Sequence, residues 1–179
     1  MKVGVLALQG DVEAHAKVLR ELGLMPREVR TSRDLEGLDG LVIPGGESTT
    51  MTLGIEREKL AAPLRDLVKS GVPTLGTCAG LIMLDRDHLK LLDVTTRRNA
   101  FGRQSHSFET ELTLDGEPIT AVFIRAPWVE EVGEDVEVLA EVDGHPVAVR
   151  QDNVLAVSFH PELTDDVRVH AWLREGARV

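Results

Sequence analysis

The chain has one cysteine, no tyrosine, and only four phenylalanines and two tryptophans. A lone thiol cannot close an internal disulfide, so the fold does not depend on an oxidising compartment. Long apolar runs are missing as well. The N-terminal Met1-Lys2-Val3-Gly4-Val5-Leu6-Ala7-Leu8 is too short for a membrane span or a secretion signal. Positive charge is scarce: 20 Lys and Arg face 30 Asp and Glu, a formal charge of −10, and no basic stripe offers itself to a phosphate backbone. These absences exclude a general nucleic-acid surface and a membrane-embedded protein, and make the cytoplasm the expected address. Repeats, low-complexity stretches and interdomain linkers are also lacking. With 179 residues, 42% of them apolar, one globular domain over 1–179 is expected.

What is present alternates strand and helix. Residues 3–8 form a continuous apolar run, as a strand covered on both faces would. After Gln9-Gly10, Asp11 is placed to N-cap a helix whose apolar face holds Val12, Ala16 and Leu19 and which stops at Gly23. Short strands are expected at 27–30 and 41–43, the second ending in Pro44-Gly45-Gly46. A helix with Leu60, Leu64, Leu67 and Val68 on one face follows, then a strand at 72–76 and a helix from Ala79. Such alternation implies an α/β, flavodoxin-like sandwich with a mostly parallel sheet, whose sites form beyond the carboxyl ends of the strands. After residue 105 the pattern turns to short strands at 108–114, 120–123, 136–142, 146–150 and 154–159, with Asp115-Gly116 and Asp143-Gly144 as hairpin turns. These are expected to extend the sheet in antiparallel fashion and return His160 to the same edge. A last helix is expected with Thr164 as N-cap and Asp165 and Asp166 in its first turn.

Gly76-Thr77-Cys78-Ala79-Gly80 has the layout of a nucleophile elbow with sulfur in place of oxygen. A free cysteine is more often a small buried hydrophobe, but a strand–turn–helix context exposes the sulfur and favours its thiolate. Ser158-Phe159-His160-Pro161-Glu162 supplies a base and a carboxylate two residues apart, which an extended backbone would set side by side. Pro44-Gly45-Gly46-Glu47-Ser48 is a glycine-rich turn able to aim backbone N–H groups at a developing oxyanion; a phosphate loop would need the Lys-Ser/Thr that is absent here. His15, His88, His106, His145 and His170 are scattered without metal-ligand spacing. Trp128 and Trp172 are expected to pack, and Glu130, Glu131, Glu134 and Asp135 to form a solvated loop.

Together these pieces resemble the triad-type (class I) glutamine amidotransferases. Within that family, Leu6-Ala7-Leu8-Gln9-Gly10-Asp11, Pro44-Gly45-Gly46-Glu47-Ser48-Thr49-Thr50-Met51, Gly76-Thr77-Cys78-Ala79-Gly80-Leu81-Ile82, Arg98-Asn99-Ala100-Phe101-Gly102-Arg103-Gln104, Val122-Phe123-Ile124-Arg125-Ala126-Pro127 and Ser158-Phe159-His160-Pro161-Glu162-Leu163-Thr164 resemble the glutaminase subunits of pyridoxal 5′-phosphate synthase. The blocks run from the first strand to the last helix. Residues 85–90 are shorter than the insert that members of this family often carry, which reads as a trimmed surface loop.

The resemblance implies Cys78 as nucleophile, His160 as general base and acid, and Glu162 as its orienter. It also implies backbone N–H groups of Gly46 and Ala79 as the oxyanion hole. Gly46, Glu47, Ser48, Arg98, Ile124 and Arg125 would hold L-glutamine, and Gln9 would face a synthase subunit in a large hetero-oligomer. No cofactor and no metal are implied, and ammonia would pass to the partner that builds pyridoxal 5′-phosphate. Three alternatives stand beside this: a glutaminase serving another acceptor, a cysteine hydrolase or redox sensor on the same type of sheet, and a catalytically silent regulatory subunit, which the intact triad opposes.

Overall fold

Burial on both faces of the first strand sets the layering. In β1 (Lys2–Leu6), Val3 and Val5 join one apolar cluster and Leu6 joins another on the opposite side. In β3 (Gly40–Ile43), Val42 faces the first cluster while Leu41 and Ile43 face the second. A strand in this position has no solvated face, which is why its sequence is a run and does not alternate. The computed structural model describes residues 1–102 and 106–175.

Besides β1 and β3, the main sheet contains β2 (Met25–Val29), β4 (Thr74–Thr77), β9 (Glu137–Val142), β10 (His145–Gln151) and β11 (Val154–Val157), in the order β2-β1-β3-β4-β11-β10-β9. The first five in that order are parallel, and β10 and β9 complete the sheet in antiparallel fashion. On one face, α2 (Ser48–Arg57), α3 (Ala61–Lys69) and α4 (Ala79–Leu84) bury Met51, Ile55, Leu64, Val68 and Leu81. On the other, α1 (Val12–Glu21) and α5 (Arg168–Glu175) pack Leu19, Val169 and Leu173 beside the hairpin of β6 (Ser107–Leu114) and β7 (Glu117–Ile124). The result is the expected flavodoxin-like α/β sandwich. Loops after β1, β3, β4 and β11 all leave from the carboxyl edge of the parallel strands, where such folds place their sites.

Local signals located most elements, and the differences have physical causes. Asp115-Gly116 and Asp143-Gly144 do turn their hairpins, with φ of 50° and 85°, and 51° and 78°. Helix α2 is absent from the sequence reading because Ser-Thr-Thr-Met-Thr-Leu-Gly is poor in helix formers; tertiary burial of Met51 and Ile55 and a cap by Glu47 sustain it. Two further strands also went unseen, β5 (Val94–Arg97) and β8 (Trp128–Val132), which pair as a separate ribbon. Glu130 and Glu131 therefore lie on a strand and not in a loop. Nor does the whole second half extend the sheet: β6–β7 and β5–β8 are separate two-stranded units, and β11 is parallel to β4.

Two helix caps also differ from expectation. Asp11 stands at the start of α1 but makes no side-chain cap. Thr164 closes a 3-10 turn at Pro161–Leu163 through its N–H and hydroxyl to the Pro161 carbonyl, at 3.3 and 3.1 Å. Helix α5 begins only at Arg168, whose N–H is taken by Asp166 at 3.0 Å, so Asp165 and Asp166 precede its first turn.

Phe159 is fully buried, edge-to-face with Phe123 at 5.7 Å between centroids, and directly precedes His160. Phe159→Ala is expected to lower unfolding free energy by about 3–5 kcal/mol. Urea denaturation should show it as a lower midpoint at unchanged slope.

Candidate active site

At the end of β4 the chain turns sharply at Cys78, with φ 52° and ψ −111°, before α4 begins at Ala79. L-residues seldom adopt this left-handed geometry. The turn is pinned by the Cys78 N–H on the Val157 carbonyl at 2.9 Å. It also needs Gly80, where any Cβ would run into the Ile43 carbonyl oxygen. The thiol is thereby turned toward the sheet edge, 6% exposed, with Sγ 3.7 Å from the Ile124 carbonyl.

His160 follows β11, its N–H bonded to the Val122 carbonyl at 2.8 Å. Its Nδ1 lies 2.5 Å from Glu162 Oε1, and the Glu162 side chain is wholly buried. The approach comes from the 3-10 turn Pro161–Leu163 and not from an extended backbone; the turn swings the carboxylate back under the ring. With Nδ1 engaged, Nε2 is left for the sulfur. Burial disfavours a charged imidazole here, but the Cys78 sulfur and the Glu162 carboxylate against the ring outweigh it and push His160 up to about 10.

The glycine turn closes the third side. A Cβ on Gly45 would stand 2.7 Å from His160 Cε1 and 3.2 Å from Cys78 Cβ, so the turn lies directly on the pair. Gly46 has φ 150°, a backbone open to glycine. The Gly45 carbonyl is packed on Gly10, and in a planar trans peptide the Gly46 N–H points the other way. Gln9 Oε1 accepts the Glu47 N–H at 2.5 Å and occupies the space that a Gly46 side chain would need.

A cavity of about 410 Å³ opens over these groups. Gln9, Gly46, Glu47, Ser48, Cys78, Ala79, Arg98, Ile124, Arg125 and His160 all line it, and Glu162 stands behind His160. Ile82, Asn99 and Pro127 line it too and were not singled out from the sequence, although each lies in or beside a family-like string. Arg103 and Gln104 of those strings fall outside the described residues.

Glu47 also shapes the rim of the cavity. Its carboxylate caps α2, accepting from the Thr49 and Thr50 N–H groups at 3.1 and 2.8 Å, and pairs with Arg98 at 3.0 Å. The Thr50 hydroxyl and the two amides lower it to about 2. Among the described residues no group of three or more His, Cys, Asp or Glu side chains is placed to hold a metal ion. What the sequence set aside and the structure brings in is the pair His15 and His170, buried behind Glu162. Their 155-residue separation hid them.

A thiol on an elbow, an imidazole steadied by a buried carboxylate and a glycine turn across both make up the equipment of a cysteine-dependent acyl-transfer enzyme. Sequence comparison narrows this class. The chain belongs to the SNO glutamine amidotransferase family, which it matches over residues 5–177. The pyridoxal 5′-phosphate synthase subunit PdxT of Parafrankia sp. (strain EAN1pec) is 54% identical, covering 99% of this chain and 93% of that one. The protein of the same name from Shouchella clausii (strain KSM-K16) is 51% identical, covering 95% and 92%. A crystal structure of a glutamine amidotransferase, 46% identical, superposes with a TM-score of 0.91 over 97% of each chain.

The raised His160 has a consequence for stability. Its folded value of about 10 lies above the ordinary 6.5, so protonated His160 stabilises the fold fully below pH 6.5, and that contribution is lost as pH rises through about 10. The excess stability of wild type over His160→Asn is expected to shrink across this window in urea titrations at stepped pH. A constant difference would show that the ring carries no such charge.

Proposed function

We propose that this chain is a glutaminase that hydrolyses the side-chain amide of L-glutamine and hands the ammonia to the synthase subunit of pyridoxal 5′-phosphate synthase. The observation that carries the reading is the 54% identity, over nearly the whole length of both chains, to a subunit of that synthase. Cys78 and His160 lining one cavity with Arg98 and Arg125, and Glu162 bonded to the His160 ring, support it.

Cys78 attacks the amide carbon as thiolate, and the tetrahedral oxyanion is received by the N–H groups of Gly46 and Ala79. Protonated His160 gives its proton to the amide nitrogen and ammonia leaves, with the γ-glutamyl group held as a thioester on Cys78. Water then attacks the thioester carbon while His160 takes its proton; glutamate departs and the thiolate is regenerated. Glu162 keeps the ring oriented and offsets its charge. Glu47, Ser48, Ile124 and the two arginines position the substrate. Arg98 and Arg125 suit its α-carboxylate, although Arg98 would have to share itself with Glu47.

The reading includes a single domain over 1–179, no cofactor and, at Gln9, an edge facing the synthase subunit in a large hetero-oligomer. Among the described residues no helix is long and apolar enough to cross a membrane. The acidic surface favours neither nucleic acid nor anionic lipid, and we place the protein in the cytoplasm.

Ammonia release from glutamine, measured with purified synthase subunit present, tests the mechanism. Cys78→Ala should abolish it with the fold intact, and Glu162→Gln should lower kcat by orders of magnitude, about 10⁴ where such an orienter is lost, with KM little changed. Turnover surviving in Cys78→Ala would end the cysteine mechanism. A raised KM at constant kcat would make Glu162 a substrate ligand instead.

A further inference from the structure

Glu162 presents two oxygens to the interior, and only one is satisfied. Oε1 takes the His160 ring, whereas Oε2 is buried without a hydrogen-bond partner among the described residues. A buried carboxylate oxygen left alone is costly, and its surroundings should supply a donor. The imidazole of His15, on α1, stands 3.5 Å away through Nε2 and is itself wholly buried. That nitrogen is also 3.2 Å from Thr77 Oγ1, beside the nucleophile, and His15 Nδ1 is 2.8 Å from Nε2 of the buried His170 on α5.

The tautomers follow from charge. Burial holds both rings neutral: it pushes His15 well below its ordinary value, helped by the nearby His170 and His160, and brings His170 to about 4. If His15 carried its proton on Nδ1, a bare Nε2 lone pair would face the Glu162 carboxylate. His170 would then have its own proton on Nδ1, which has no partner among the described residues. With the proton on His15 Nε2, the N–H faces the carboxylate and Thr77, His170 donates through Nε2, and what is left unpaired on His170 is an acceptor, the cheaper orphan. The 2.8 Å nitrogen–nitrogen approach also leaves no space for an ion between the rings.

We propose that His15 is a positioning residue for the glutaminase reaction: its Nε2–H, set by His170, seats the rear oxygen of Glu162 and thereby holds the carboxylate that aims His160 at Cys78. The inference rests on the glutaminase reading above. At 3.5 Å the contact is longer than a finished hydrogen bond, and catalytic hydrogen bonds commonly tighten only when substrate is bound. Without the donor, Glu162 would relieve its orphan oxygen by rotating or by taking up a proton, and either change slackens the hold on His160.

The test uses the full chain with the synthase subunit and compares His15→Leu, which has no donor, with His15→Gln, whose amide N–H reaches about as far as Nε2. His15→Leu is expected to lower kcat by about 10- to 100-fold, the order that loss of alignment costs, with KM for glutamine unchanged; His15→Gln should recover most of it. In proton NMR, the low-field ring N–H of His160 bound to Glu162 should weaken or shift in the Leu variant and persist in the Gln variant. If His15→Leu does not fold, His170→Phe carries the same expectation, loss in kcat at constant KM, because it frees His15 to turn away. Wild-type kcat in every folded variant, or equal loss in Leu and Gln variants with the His160 signal unmoved, overturns the proposal. If wild type itself releases no ammonia from glutamine, the glutaminase reading fails, and the His160 signal still decides whether His15 seats Glu162.

Discussion

The left-handed turn at Cys78 is the constraint around which the site is built. Holding a non-glycine residue at φ 52° costs on the order of 1–3 kcal/mol, and the turn persists because three strands surround it. β11 accepts its N–H through Val157, β3 presses the Ile43 carbonyl where Gly80 has no side chain, and β4 delivers the chain into it. The same strands carry the other parts of the site: β3 runs on into the Gly45-Gly46 turn and β11 into His160. Strain at one residue and convergence of the functional loops are thus two results of one packing arrangement.

At the site, buried charge centres on Glu162 and the ring it holds. Glu162 is a buried carboxylate, and its stability depends on neighbours, because an ionised group away from water is expensive unless it is paired and hydrogen-bonded. His160 supplies the charged partner on one side, while on the other stand two neutral imidazoles. A protonated His15 would place two imidazolium rings around one carboxylate, and burial with its neighbours' charge prevents that. At the solvent edge the logic is reversed. The Arg98–Glu47 pair is half-exposed and contributes little by itself, but Glu47 also caps α2, so the rim is tied to the helix that follows the glycine turn.

The parts of the fold that were legible in sequence are those governed by short-range rules. The apolar runs at 3–8 and 41–43 read as buried strands, which the structure sets at Lys2–Leu6 and Gly40–Ile43, because a strand with two covered faces has no polar alternation to show. Asp115-Gly116 and Asp143-Gly144 read as hairpins because two successive left-handed residues strongly favour such pairs. Helix α2 and the β5–β8 ribbon escaped, the first because threonines and a glycine make a weak helix signal, the second because two short segments pair only across more than thirty residues of chain.

The site divides in the same way. By itself the sequence singled out the candidate groups: the only thiol within a glycine-flanked elbow, an imidazole with a carboxylate two residues on, a glycine turn after a strand, and arginines in family-like strings. Local spacing suffices for that, since an elbow or a tight turn involves only a few consecutive residues. Tertiary structure alone decided how the carboxylate approaches the ring, through a 3-10 turn where an extended segment was expected. It decided too that Glu47 spends its oxygens on a helix cap, and that His15 and His170 meet behind Glu162. Those histidines sit on helices at opposite ends of the chain, and no periodicity links them. They come together because α1 and α5 cover the same face of one sheet, and that face is defined only when all the strands are in place.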